Sequence, residues 1–216
     1  MEVHILAKEN SLFNQFLAEI RDKRIQVDPL RFRRNLERMG EVFAYEISKT
    51  LDYEEKTIQT PLGDALVNTY VEQPVLATIL RAGLPLHQGL LNYFDRSSNA
   101  FISAYRKHDE AGNFDINVEY LASPSIDDST LILADPMLAT GKSMILSYKA
   151  MLSKGQPKMT HVVAVLASEE GLEYTKKNMP DNTIFWVGDV DKVLTANAYI
   201  SPGLGDAGDL AYGEKS

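Results

Sequence analysis

An α/β fold built on a mostly parallel sheet is the architecture that the 216-residue sequence predicts, and three observations carry it. Short runs rich in Val, Ile, Leu and Thr recur at Val75–Leu80, Ala100–Tyr105, Thr130–Ala134, Val162–Leu166 and Thr183–Val187. Helix-length stretches, Leu84–Phe94, Ser143–Leu152 and Glu169–Asn178, lie between several of them. Two of the apolar runs pass straight through small-residue turns into such a stretch. Alternation of this kind implies a parallel sheet with helices on both faces, and ligands then sit beyond the carboxyl ends of the strands, where the winding reverses. The length suits one domain over 1–216 with a single core.

Taken in order, the chain predicts helices first. Ser11 precedes Leu12, Phe13, Phe16, Leu17 and Ile20, the spacing of an amphipathic helix with a serine cap. Asp28-Pro29 opens a longer one, with Leu30, Leu36, Met39, Phe43 and Ile47 recurring behind it. Arg31, Arg33 and Arg34 read as a solvated or subunit-facing edge of that helix rather than an anion site. The polar segment Tyr105–Tyr120 interrupts the alternation and reads as a β-hairpin or arm.

Composition narrows the function. Thirty acidic against 22 basic residues leave a net charge of −8, which opposes wholesale binding of nucleic acid and favours small-molecule partners. Cysteine is absent, which excludes disulfides, thiolate nucleophiles and Cys-ligated metals. No segment approaches the roughly 20 apolar residues that span a bilayer, and Met1–Asn10 lacks a secretory pattern, so cytoplasmic residence is the expectation. His4, His87, His108 and His161 are scattered without ligand spacing and read as ordinary surface or partly buried side chains.

Three segments carry chemistry. In Leu131–Ser143 an apolar strand ends at Asp135 and passes through Pro136, Met137, Leu138, Ala139, Thr140 and Gly141 to Lys142 and Ser143 at a helix start. Free N–H groups and the dipole at that helix start receive phosphate, and the adjacent carboxylate accepts hydrogen bonds from sugar hydroxyls. Gly141-Lys142-Ser143 resembles the end of a nucleotide-binding P-loop, but the required glycine five positions earlier is Pro136, so that reading fails. A plain strand-to-helix turn is the bland alternative. In Thr78–Leu86, Arg81 at a strand end can grip a diphosphate, with Gly83 permitting close approach of the backbone; a surface ion pair is the alternative there. Arg106 and Lys107 follow another strand end. In Tyr199–Asp209, three glycines, a proline and two carboxylates make a tight loop whose exposed amides and carbonyls can read a planar base, the alternative being a frayed terminus.

With these segments in hand, the chain resembles the uracil phosphoribosyltransferase family, of the type I phosphoribosyltransferase fold. Asp135–Ser143 matches the family's Asp-Pro-Met-Leu-Ala-Thr-Gly-Gly-Ser at eight of nine positions, Ile79–Leu84 matches Ile-Leu-Arg-Ala-Gly-Leu, and Pro202–Asp209 matches Pro-Gly-Leu-Gly-Asp-Ala-Gly-Asp throughout. The resemblance implies a mostly parallel sheet with flanking helices, an N-terminal helical pair and a β-hairpin arm. It implies transfer of the phosphoribosyl group of 5-phospho-α-D-ribose 1-diphosphate (PRPP) to uracil, giving UMP and diphosphate. Asp135 would hold the ribose hydroxyls, Pro136 to Ser143 would form the loop whose Ala139–Ser143 part cradles the 5′-phosphate, and Arg81 and Arg106 would bind the diphosphate. Ile200, Gly205, Asp206 and Ala207 would recognise uracil largely through the main chain, with Asp206 also facing PRPP. Arg106 and Asp206 are the candidate catalytic residues. Mg²⁺ would be held mainly by substrate phosphates, with no protein metal site. Homo-oligomers, dimers or higher, and a GTP effector in some relatives come with the same resemblance, whereas nucleic acid and membrane do not.

The sequence departs from the family at Lys142, which stands where the second loop glycine belongs. A lysine held there at positive φ would strain the loop by ~1 kcal/mol or more; outside that region its ammonium could add a phosphate contact. Thr195-Ala196-Asn197-Ala198 replaces the usual Asn-Glu-His-Gly before the uracil loop. Two other function classes remain: an RNA-binding regulator on the same fold, disfavoured by the acidity, and a catalytically weakened ligand sensor, for which Lys142 is the encouragement.

Overall fold

The chain begins with a strand rather than a helix. In the computed structural model, which describes residues 1–108 and 114–214, with the backbone alone for 104–118 within that range, Glu2–Ile5 forms β1. Four residues with polar Glu2 and His4 give little periodicity to read. Their strand character comes from pairing in parallel with a distant sheet edge, Val3 opposite Phe185.

Helices α1 (Leu12–Arg21) and α2 (Pro29–Ser48) start where the sequence predicts. Ser11 Oγ accepts from the Phe13 amide while Asn14 accepts from the Ser11 amide, a reciprocal cap. The Asp28 carboxylate accepts from the amides of Leu30 and Arg31, with Pro29 at the first helical position. The arginines of α2 lie along an exposed edge, where Arg31 and Arg34 remain about half exposed while each makes a specific contact. Arg31 pairs with Glu19 of α1 at 2.7 Å, and Asn35 donates to the same carboxylate, so these contacts hold the Glu19 carboxyl down at about 2 despite the opposing effect of burial. Arg34 pairs with Glu37, and Arg33 donates to the carbonyl of Ala211 at 2.7 Å.

Next comes a hairpin of β2 (Tyr53–Thr60) and β3 (Gly63–Tyr70), which the sequence did not predict. Solvent meets both its faces, so it lacks the one-sided apolar alternation that marks a half-buried strand. The rest alternates as expected: β4 (Val75–Leu80), α3 (Leu84–Tyr93), β5 (Asn99–His108), β6 (Phe114–Ala122), β7 (Thr130–Ala134), β8 (Met137–Leu138), α4 (Lys142–Met151), β9 (Met159–Ser168), α5 (Glu169–Asn178), β10 (Thr183–Asp191), β11 (Val193–Leu194), β12 (Ile200–Ser201) and α6 (Ala207–Tyr212). The expected hairpin is the antiparallel pair β5–β6, rooted in the main sheet.

The main sheet runs β1-β10-β9-β7-β4-β5-β6, with β8 also on β9, and its pairings are parallel except β5–β6. From β4 the chain winds outward through β5 and β6, then returns to β7 on the other side of β4, so the winding reverses between β4 and β7. Thr78 of β4 lies opposite Ala134 of β7, which sets the two strand ends side by side at the reversal. Alternate residues feed two cores. Ile132, Ala134, Val163 and Val165 pack beneath α1, α2 and α3, while Leu131, Leu133, Val162 and Ala164 pack beneath α4 and α5.

Two histidines expected at or near the surface are enclosed instead, and burial pulls both imidazoles down, His161 to about 4. His161 Nδ1 accepts from the indole N–H of Trp186 at 3.0 Å, and His4 stacks on the indole face with centroids 4.1 Å apart.

Candidate active site

The turn after β4, the turn after β7 and the coil around β12 line one cavity of about 530 Å³. Its wall includes Arg81 and Ala82 from the first, Asp135, Met137, Ala139 and Ser143 from the second, and Ile200, Gly205, Asp206 and Ala207 from the third. The three segments, drawn from a stretch that runs from Ile79 to Gly208, meet at this cavity. Asn197, Ala198, Tyr199 and Gly208 complete much of the remaining wall.

At the end of β7 the Asp135 amide is tied to Val163 of β9, so the backbone is fixed while the carboxylate projects into the cavity. Dense surrounding protein raises its carboxyl to about 7, and a long contact from the Met137 amide, 3.5 Å, offsets only part of that rise. The Pro136 carbonyl accepts from Val165 and Leu166, and the Leu138 side chain is buried in the core. Pro136, Leu138, Thr140, Gly141 and Lys142 do not line the cavity wall itself; they shape the loop from behind or beside it.

The glycine question at this loop has a definite answer. Gly141 caps α4 at φ +73, and Lys142 is the first residue of the helix with ordinary right-handed backbone. Strain at Lys142 is therefore absent, and the residue that needs conformational freedom is Gly141. Gly83 meets a packing demand of its own. Its φ is −73, and a Cβ there would overlap Thr78 Oγ1 and the Ile79 carbonyl, so packing on β4 by itself requires glycine at this position.

Arg81 reaches across to the tail. Its Nη2 lies 3.3 Å from Asp209 Oδ1 and 3.2 Å from the Gly213 carbonyl, while its Nε is buried without a hydrogen-bond partner among the described residues. Asp206 caps α6, its Oδ1 accepting from the Asp209 amide at 3.0 Å. The tail is gripped from beneath by a residue that sequence reasoning missed. Arg21 pairs with Asp189 and Asp191 at 2.9 and 2.8 Å and donates to the Gly203 carbonyl, and Asp191 accepts from the Gly203 amide. Gly203 and Gly205 adopt φ of +55 and +99, which explains the glycines of this coil. The side chain of Arg106 lies outside the described residues.

A pocket of this size, with a carboxylate, a guanidinium, a helix N-terminus and a coil of exposed amides on its walls, suits a phosphorylated sugar beside a planar base. Comparison with known proteins decides the family. The family model for uracil phosphoribosyltransferase matches residues 7–214. The chain belongs to the uracil phosphoribosyltransferase family. A member of the family from Porphyromonas gingivalis is 57% identical over 215 residues, covering all of both chains, and one from Pyrococcus furiosus is 38% identical over 203 residues, covering 93% of this chain and 85% of its own. Among solved structures, a protein from Aquifex aeolicus superposes with a TM-score of 0.86 at 28% identity, covering 98% of each chain. The fold also matches an adenine phosphoribosyltransferase from Trypanosoma brucei, with a TM-score of 0.55 at 13% identity over 91% of this chain and 86% of that one. As a uracil phosphoribosyltransferase family member the chain is a pentosyltransferase, and the family's reaction makes UMP and diphosphate from uracil and PRPP.

Proposed function

We propose that the cavity at the β4–β7 reversal is where this transfer takes place, with PRPP lying along the two strand ends and uracil against the tail coil. The observation that carries the reading is that three distant segments, each suited to one part of these substrates, line one wall. Asp135 receives the ribose hydroxyls, and the start of α4 with Ala139–Ser143 receives the 5′-phosphate. Arg81 holds the diphosphate, joined by Arg106 from the β5–β6 hairpin. Ile200 and Gly205 to Ala207 hold uracil through main-chain groups, and the second carboxylate oxygen of Asp206 orients the base or a water.

In the reaction, uracil N1 bonds to C1′ as the C1′–O bond to the diphosphate breaks, and the N1 proton passes to water or to the departing diphosphate. Positive charge builds on the ribose, where the Asp135 carboxylate stabilises it, and negative charge builds on the leaving group, where Arg81 meets it. A walled cavity limits hydrolysis of the activated sugar. Mg²⁺ fits this site as a passenger of the substrate. Among the described residues no three His, Asp or Glu side chains gather into a cage, so phosphate oxygens and water are the donors that suit it. When bound there, it neutralises charge on the diphosphate.

The same reading takes the 1–216 chain as one catalytic domain acting in the cytoplasm as a homo-oligomer, and GTP as an effector. Support for association comes from the β2–β3 hairpin, whose Leu62 is 100% exposed, with Leu66 also bare; a lone two-stranded hairpin is marginally stable in water. No described helix is long and apolar enough to cross a membrane.

Incubation with labelled uracil, PRPP and Mg²⁺, with and without GTP, tests the assignment. UMP formation that is lost in Asp135→Ala and Arg81→Ala supports it. Tight ligand binding without UMP, or salt-sensitive retention of RNA in place of turnover, overturns it.

A further inference from the structure

We propose that Ser168, which lies outside the cavity, is a positioning residue that sets the phosphate loop for the 5′-phosphate of PRPP. The inference rests on the assignment of Ala139–Ser143 as the phosphate cradle and adds a residue that holds it. Ser168 is the last residue of β9 and the cap of α5. Its hydroxyl donates to the Ala139 carbonyl at 2.5 Å and accepts from the Gly171 amide at 2.8 Å. Ser168 is itself fully buried, so its hydroxyl is committed to these two protein partners.

A single peptide plane links this contact to the loop. The Ala139 carbonyl and the Thr140 amide belong to one rigid trans peptide, so pinning the carbonyl against α5 turns the Thr140 N–H away from α5. The remainder of the α5 start reinforces the same grip. A Cβ on Gly171 would overlap the carbonyls of Leu138 and Ala139, and a Cβ on Gly141 would overlap Thr175 Oγ1 and approach the Gly171 carbonyl. Thr175 Oγ1 in turn donates to the Gly171 carbonyl at 2.7 Å. The first turns of α5 therefore hold the loop on both sides of Thr140, at Leu138–Ala139 and at Gly141.

An ordinary helix cap would not need the Ala139 contact. Capping requires only that Ser168 accept from Gly171, and the outward donation to another segment's carbonyl is the part that acts on the loop. Loss of one buried donor to a carbonyl corresponds to about a five- to tenfold change in affinity.

The test uses the full chain and two fragments of the substrate as competitive inhibitors against PRPP. Ribose 5-phosphate probes the phosphate cradle, and diphosphate probes the Arg81 side. In Ser168→Ala, inhibition by ribose 5-phosphate and KM for PRPP weaken by about five- to tenfold, while diphosphate inhibition, KM for uracil and kcat move by less than about twofold. Ser168→Thr, which keeps the hydroxyl, restores most of the loss. Ser168→Gly separates bracing from capping and replaces Ser168→Ala if the latter fails to fold, since glycine serves at a helix cap almost as well as serine. Uniform weakening of every ligand, or unchanged inhibition by ribose 5-phosphate, overturns the proposal. Thr140→Ala and Ser143→Ala locate any failure: if they weaken ribose 5-phosphate and the Ser168 variants do not, the role of Ser168 falls alone. If none of these variants affects it, the loop assignment falls as well.

Discussion

Arg81 Nη2 and Asp209 Oδ1 meet at 3.3 Å, and that contact joins the end of β4 to α6, the helix that follows the glycine-rich coil. Both side chains are about a third exposed, so the pair is screened by solvent and contributes little to folding, about 0–1 kcal/mol. Its consequence is orientation of the guanidinium toward the cavity. Asp209→Ala should leave Tm within a few degrees and lower kcat/KM for PRPP by about tenfold, as steady-state kinetics and thermal melts can check.

Asp135 carries a pH dependence with two opposite signs. Its carboxyl is raised from 3.8 to about 7 by burial, so between these pH values the native protein holds a proton that the unfolded chain has released. Stability therefore falls as pH rises through that window, by up to about 4 kcal/mol, and Asp135→Asn removes the trend. Binding of ribose hydroxyls favours the ionised form, so kcat/KM for PRPP should fall as pH drops below about 7, approaching tenfold per unit. Urea midpoints and kinetics over pH 5 to 8.5, in wild type and Asp135→Asn, measure both slopes.

His161 behaves in the other direction. Burial lowers its imidazole from 6.5 to about 4, with His4 adding to the effect, so on acidification the unfolded chain takes up a proton that the native state refuses. Stability is intact above about 6.5 and falls as pH drops toward 4, by up to about 3 kcal/mol. Protonation also destroys the acceptor that holds Trp186, the one tryptophan in the sequence. Its fluorescence should therefore report the loss directly, and His161→Gln, which keeps an acceptor without the titration, should flatten the profile.

Ala198 is held at φ +60, a left-handed backbone, at the position where the family sequence has glycine. The strain of a Cβ there, about 1–2 kcal/mol, exceeds the entropy that glycine adds to the unfolded chain, about 0.4–1 kcal/mol. Ala198→Gly should raise stability by roughly 0.5–1 kcal/mol, measured by urea titration. Asp128→Gly at φ +53 should gain less, because aspartate tolerates that region better.

The sequence made the site legible where chemistry and local structure coincide. Arg81 and Asp135 each close an apolar strand and open a glycine turn, and those patterns need no distant partner to be read. Arg21, Arg33 and Ser168 were not legible because their meaning lies in partners far along the chain: Gly203, Ala211 and Ala139. The β2–β3 hairpin escaped because both its faces are wet, and β1 because four residues on a sheet edge carry too little pattern. The packing demand at Gly83 was hidden, since a glycine required by crowding and one required by a ligand look alike in a sequence.

Because Arg81 donates to the carbonyl of Gly213, the backbone just after α6 helps to fix where the guanidinium lies at the cavity. Gly213 sits at φ +83, so Gly213→Ala would shift this carbonyl and is expected to loosen the Arg81 guanidinium and weaken binding of PRPP.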